Sequence, residues 1–298
     1  MPFIQNLPDG IFIQECNEFD GWSRQDLLDE IKRLKMRINE LDGGTNLNRF
    51  ENRVYSQNGE DGILLKLVEL LYEDTKDKNY VELGVENGTE CNTRILRENS
   101  WNGLQLDGGH ENLDINLRKE FITKENVNEL LRKYDVPSHI HCLSVDIDFN
   151  DFYCLQEILR KYTCDIIICE YNATHLPNED KVVPYIADMA WEKYQTNFFG
   201  VSLLTLNKLC ASRGYKLVCC DSMGVNAFFV REKLLKQMNV SIKHCGDVER
   251  LYQKPKYGTG PNGGHRQDPK NREYLSYTQV ERLTSNVDLA DHLRAHFC

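Results

Sequence analysis

Acidic and amide side chains crowd two short stretches of this chain. HCLSVDIDFNDFY ends an apolar run with Asp146, Asp148, Asn150 and Asp151, and DIIICEYN ends the next with Glu170, Tyr171 and Asn172. Carboxylates brought together without compensation repel one another and hold their protons more tightly unless a cation intervenes. Oxygen donors of this kind suit magnesium, calcium or manganese better than zinc. A strand's period of two puts Ser144, Asp146 and Asp148 on one face, so both aspartates are expected to point into one crevice. A plainer arrangement has Asp148, Asn150 and Asp151 capping the following helix, with Asp146 and Glu170 touching a ligand directly.

Three further segments carry ligand-binding chemistry. YVELGVENGTECNTRIL reads as a strand ending at Glu82, followed by Gly84 and Gly88. Glycines there let the backbone turn tightly and approach a ligand, and the acid can accept hydrogen bonds or neutralise a cationic group. About twenty residues later the strand GLQLD ends in Asp107. A carboxylate in that place can accept bonds from two ribose hydroxyls, or it can simply open the turn before Gly108 and Gly109. SQNGEDG (56–62) precedes a helix, where backbone N–H groups favour an anion and where Ser56 or Asn58 could serve as cap. His265, in the loop PNGGHRQDP, could fold over the crevice as a base or an extra ligand. Trp101 and Trp191 read as packing residues.

The elements that position these residues alternate. GILLKLVELLYED presents Leu64, Leu67, Val68 and Leu71 on one helical face. Strands are expected at 79–85, 103–107, 141–148, 165–172, 215–221 and 226–232, with helices around ENVNELLRKY, DFYCLQEILRKY and SLLTLNKLCASRG between them. Such alternation predicts a parallel sheet covered on both faces. The last two strands are separated only by SMGV, too short for a crossover, so they must pair antiparallel.

Around this α/β unit (51–235) lie an N-terminal arm and helix (1–50) and a loop-rich tail with a terminal helix (236–298) that Ser285 or Asp288 could cap. In the first helix Leu27, Ile31, Leu34, Ile38 and Leu41 alternate spacings of four and three. That spacing suits either packing on its own domain or a homodimer.

Composition narrows the partners. The 298 residues carry a formal charge of −10, which repels phosphate backbones, so nucleic acid is not the expected partner. No run approaches the roughly 20 apolar residues of a membrane span, and the first residues lack a secretory pattern. The 11 cysteines are scattered rather than clustered as in a zinc site, and read as reduced, mostly buried thiols of a cytoplasmic protein.

Several segments together resemble class I S-adenosylmethionine-dependent methyltransferases. YSQNGEDGIL, ELGVENGTECNTR, LSVDIDFNDFY, CEYN and GVNAFFV look like a branch that pairs S-Q-x-G-E-D with S-x-D-I-D-x-N-D and E-Y-N. Phe149 stands where that branch usually has glycine, which would reshape the pocket. The resemblance implies a Rossmann-like fold with a mostly parallel seven-stranded sheet closed by an antiparallel hairpin. It implies S-adenosylmethionine contacts from Gln57, Glu60, Glu82, Gly84, Gly88, Asp107 and Asp146. The acidic crevice is similar to that of the metal-dependent catechol and caffeoyl-CoA O-methyltransferases. By that likeness Asp146, Glu170 and Asn172 would hold a divalent metal (magnesium, calcium or manganese), and Asp148 or His265 would help deprotonate a small-molecule hydroxyl acceptor. Two other outcomes suit the same residues: a metal-dependent enzyme of different chemistry on this fold, and a non-catalytic dimeric binding protein.

Overall fold

The computed structural model describes residues 21–41, 43–261 and 263–285. Seven strands form one sheet: β1 (Asn79–Leu83), β2 (Asn102–Asp107), β3 (Leu117–Lys119), β4 (His139–Val145), β5 (Thr163–Glu170), β6 (Tyr215–Cys220) and β7 (Asn226–Arg231). Their order is β3-β2-β1-β4-β5-β7-β6. β7 alone runs against the others, inserted between β5 and β6 and paired antiparallel with both. This strand order, with one reversed strand second from the edge, is the Rossmann-like class I methyltransferase fold.

The six longer strands fall where the apolar runs predict them. β3, the seventh strand, has no counterpart among those runs: it is three residues long and only Leu117 of it is buried, too little for a periodic signal.

Nine helices are described among these residues: α1 (Arg24–Leu41), α2 (Glu60–Leu71), α3 (Arg94–Glu98), α4 (Val127–Lys133), α5 (Asp151–Ile158), α6 (Leu203–Ser212), α7 (Glu232–Gln237), α8 (Val248–Leu251) and α9 (Tyr277–Ser285). Alternate strand residues feed two apolar layers, as the pleat requires. Tyr80, Ile166, Ile168, Phe228 and Val230 pack with Leu64 and Leu67 of α2, Leu96 of α3 and Leu234 of α7. Val81, Leu83, Ile167, Cys169 and Phe229 face α4, α5 and α6, together with Leu251, Leu275 and Val280 from the segment after the sheet. That segment therefore completes the main core. Each fully buried isoleucine or phenylalanine contributes roughly 2 kcal/mol.

Leu27, Ile31 and Leu34 of α1 are exposed, so packing of this helix on its own domain is not seen at these positions. The side chains of Ile38 and Leu41, the arm 1–20, the Ser285 side chain and Asp288 lie outside the described residues. No helix among the described residues is long and apolar enough to cross a membrane. The described cysteines are free thiols, and all but Cys245 are buried.

Candidate active site

The carboxyl ends of β1, β2 and β4 open into a cleft of about 740 Å³. Its walls include Gln57, Glu82, Gly84, Glu86, Asp107, His110, Asp146, Asp148, Asn150, Glu192 and Asn226. A crevice of this size outside the strand ends is where ligands bind in open parallel sheets.

Glu82 is buried, and its carboxylate is spent on the loop behind it. It accepts the backbone N–H groups of Asn92 (2.8 Å) and Thr93 (3.0 Å), and the Thr93 hydroxyl also donates to it. Burial still pushes this acid above the ordinary carboxylate range, against the lowering effect of these bonds. Gly84 has a φ of 75°, and a Cβ there would sit 1.7 Å from the Asp146 carbonyl oxygen. The glycine thus lets the loops after β1 and β4 touch. Gly88 is likewise left-handed, at a φ of 76°.

Asp107 closes the same corner. Its Oδ2 accepts the Glu86 N–H at 2.8 Å. Its Oδ1 accepts the Gly109 N–H at 2.7 Å and the His110 N–H at 3.0 Å, and the His110 imidazole Nδ1 lies 3.1 Å away. Asp107 thus opens the Gly108 turn, one of the two uses foreseen for it, and it also lines the cleft wall.

Asp146, Asp151 and Glu170 converge at the ends of β4 and β5, with ligand atoms all within 4.8 Å of one another. No basic side chain pairs with them among the described residues. Burial first, then the neighbouring carboxylates, push Asp146 and Glu170 well above the carboxylate range. Burial pushes Asp151 up to about 7. Its Oδ1 accepts the Ile147 N–H at 2.6 Å, while its buried Oδ2 accepts nothing.

The opposite ends of the same strands provide a contrast. His139, His141 and Asp165 also bring ligand atoms within 4.8 Å. There Arg231 lies 2.7 Å from Asp165, Tyr72 donates its hydroxyl at 2.9 Å, and burial holds His141 down to about 4 and so neutral. That carboxylate is compensated by the protein; the Asp146 group is not. All-oxygen donors, mutual repulsion and an orphaned buried carboxylate oxygen fit a hard divalent cation.

Asp148 and Asp146 both line the cleft, although β4 ends at Val145, so strand parity does not set their directions. Asp148 follows the strand with a φ of 66°. Desolvation, then Glu192, Glu86 and Asp107, push it up to about 6.

Four expectations are corrected. Asn172 does not act as a ligand: its Nδ2 donates to the carbonyls of Asn197 (2.7 Å) and Phe199 (2.9 Å), and its Oδ1 accepts from the Thr174 N–H and hydroxyl. Both ends of the amide are saturated, and Asp151 from the first turn of α5 stands in its place. Glu60 is buried away from the cleft wall, held by the Asn58 N–H at 2.7 Å and the Asn226 Nδ2 at 3.0 Å. His265 does not line the cleft; it packs against Trp191, Phe199 and Tyr257, with ring centroids 4.5, 5.3 and 5.4 Å away. Phe149 is buried with Val183, Phe198 and Phe199 and does not itself line the cleft. Gln57 does line the cleft, while Ser56 satisfies the Asp61 N–H at 3.2 Å near the start of α2.

Sequence reasoning missed Asn226, Glu86, Glu192 and His110. Asn226 sat in plain view in GVNAFFV, but its importance depends on which strand lies beside β7.

No family model matches the chain, and no curated protein matches it. Among solved structures, the DszA carbon methyltransferase aligns at 8% identity over 58% of this chain and 52% of its own, with a TM-score of 0.34. The CurJ carbon methyltransferase aligns at 8% identity over 59% and 55%, with a TM-score of 0.31. The [4+2]-cyclase SpnF aligns at 10% identity over 65% and 73%, with a TM-score of 0.27. The chain thus spans about half the length of the two carbon methyltransferases. Likenesses this low say nothing of chemistry, which rests on the cleft itself.

Proposed function

We propose that the protein is an S-adenosylmethionine-dependent methyltransferase, O-directed, assisted by a divalent metal, and acting on a small-molecule acceptor. The observation that carries this is the uncompensated group Asp146, Asp151 and Glu170, of which Asp146 lines one cleft together with Gly84 and Asp107. Asp146, Asp151 and Glu170 would hold the metal. Gln57, Gly84 and Asp107 would border the cofactor, with Glu82 holding the loop in place; Gly88, also expected at the cofactor, faces Ile115 instead of the cleft. When bound, the metal lowers the pKa of an acceptor hydroxyl and the sulfonium supplies the methyl group.

The side chains have two tasks, alignment and proton removal. Methyl transfer gains most from an aligned approach, which the rigid ends of β1 and β4 provide. Asp148, which lines the cleft and is pushed up only to about 6, would take the acceptor's proton.

Calorimetry with S-adenosylmethionine tests the reading, first with magnesium and then with a chelator. Micromolar binding with an added heat from the metal is expected. Absence of binding in both conditions would remove the methyltransferase function. A second reading, a metal-dependent enzyme that ignores this cofactor, is favoured by one observation: Asp107 already accepts bonds on both oxygens.

The two readings separate at His110. A ribose diol on Asp107 must displace the imidazole from Oδ1. His110→Ala is therefore expected to bind S-adenosylhomocysteine about 5-fold more tightly, the worth of roughly 1 kcal/mol of competing hydrogen bond. Equal affinities would mean that the ribose does not meet Asp107.

A further inference from the structure

We propose that Asn226 supplies the neutral oxygen ligand of the divalent-cation site, and that Glu60 fixes its amide so that the oxygen faces the ion. This rests on the metal-assisted reading of the Asp146 group.

Asn226 opens β7, and the antiparallel register sets it directly opposite Glu170. Directly opposed residues project from the same face of the sheet, with Cβ atoms roughly 5 Å apart. Asn226 is 2% exposed and lines the same cleft as Asp146. Its Nδ2 donates to Glu60 Oε1 at 3.0 Å, whereas its Oδ1 accepts no hydrogen bond.

The amide cannot turn over. A flipped Asn226 would set its oxygen against the Glu60 carboxylate, two acceptors facing each other. Glu60 cannot swing away either, because it is fully buried and its other oxygen accepts the Asn58 N–H at 2.7 Å.

An orphaned buried amide oxygen is costly, and this one is not alone among the acceptors at these loops. Asp151 Oδ2 and Asn150 Oδ1 are buried without partners too, and Asn150 shares the cleft wall. A hard cation satisfies such a set at once, and amide oxygens join carboxylates readily around calcium and magnesium. Asn172, by contrast, has no lone pair to offer.

Manganese binding to the full chain tests the assignment, read by the electron paramagnetic resonance of the free ion, with circular dichroism to check folding. Asn226→Ala is expected to weaken manganese at least 10-fold, and the near-isosteric Asn226→Asp to bind at least as tightly as the parent. Glu60→Ala should weaken it, and Glu60→Gln should restore it only in part, because the one glutamine oxygen must serve either the Asn226 Nδ2 or the Asn58 N–H that the two carboxylate oxygens accept. If the parent binds manganese and Asn226→Ala and Asn226→Asp match it within about twofold, the assignment is wrong and the metal reading stands. Loss of S-adenosylhomocysteine affinity in Asn226→Ala with unchanged manganese affinity would hand the amide to the cofactor and overturn it as well. A parent that ignores millimolar manganese would sink the metal reading, and this ligand with it.

Discussion

In a chelator at about pH 8, Asp151→Asn will be more stable than the parent protein, and it will no longer respond to magnesium. Asp151 is fully buried beside Asp146 and Glu170. A carboxyl that titrates near 7 instead of 3.8 carries a penalty on the order of 4 kcal/mol when ionised. Asparagine keeps an oxygen for the Ile147 N–H and turns an amide donor toward the neighbouring carboxylates, so about 2 kcal/mol of gain is a fair expectation after relaxation.

The pH dependence follows from the direction of the shift. A raised folded-state pKa means that the folded chain binds the proton more tightly than the unfolded chain does. The penalty is complete above about pH 7 and fades as pH falls toward the unfolded value near 4. Parent stability in chelator should therefore rise on acidification across that window, and Asp151→Asn should rise less. Saturating magnesium should raise the parent's urea midpoint at about pH 8 and leave the variant's unmoved. A variant less stable than the parent under chelator would mean that the group carries no net charge strain.

Gly84→Ala should be the most damaging single methyl in the molecule's cleft. The new Cβ meets the Asp146 carbonyl at 1.7 Å, on a backbone with a φ of 75°. Left-handed strain costs about 1 kcal/mol or more, and overpacking against main chain adds about 1–3 kcal/mol. Gly200 separates the two effects: its φ is 58° but a Cβ there meets nothing within 4 Å. Urea denaturation should place Gly200→Ala about 1 kcal/mol below the parent and Gly84→Ala about 3 kcal/mol or more below it. Gly84→Ala should also lose manganese, because Asp146 must move with its carbonyl. If the two alanine variants lose stability equally, the contact between the β1 and β4 loops is not what constrains Gly84.

The sheet was legible because its strands are self-contained signals. Runs such as DIIICE are apolar on both faces, as buried parallel strands must be, and SMGV leaves room only for a reversal. Glu82, Asp107, Asp146 and Glu170 were found for the same reason: they sit where an apolar run stops. What each carboxylate touches was not legible. Glu82 answers to Asn92 and Thr93 through a loop whose path no periodicity encodes. Asn172 and Asp151 could be told apart only by knowing that the 197–199 backbone returns to take up the Asn172 amide. Asn226 depended on β7 lying against β5 rather than at the edge, a fact carried by long-range packing. His265 looked accessible in a glycine-rich loop, but its aromatic neighbours come from segments tens of residues away.

The reversed strand between β5 and β6 has a consequence for how the chain is made. Ribosomal synthesis delivers β5 long before its neighbour, and β6 emerges first yet pairs only with β7. Until residue 231 has emerged, the nascent chain holds β5 with an open hydrogen-bonding edge through Ile166, Ile167 and Ile168, the kind of edge that recruits other chains. The same late insertion delivers Asn226 to the cleft. Closure of the β5 edge and arrival of Asn226 at the cleft wall are thus one event.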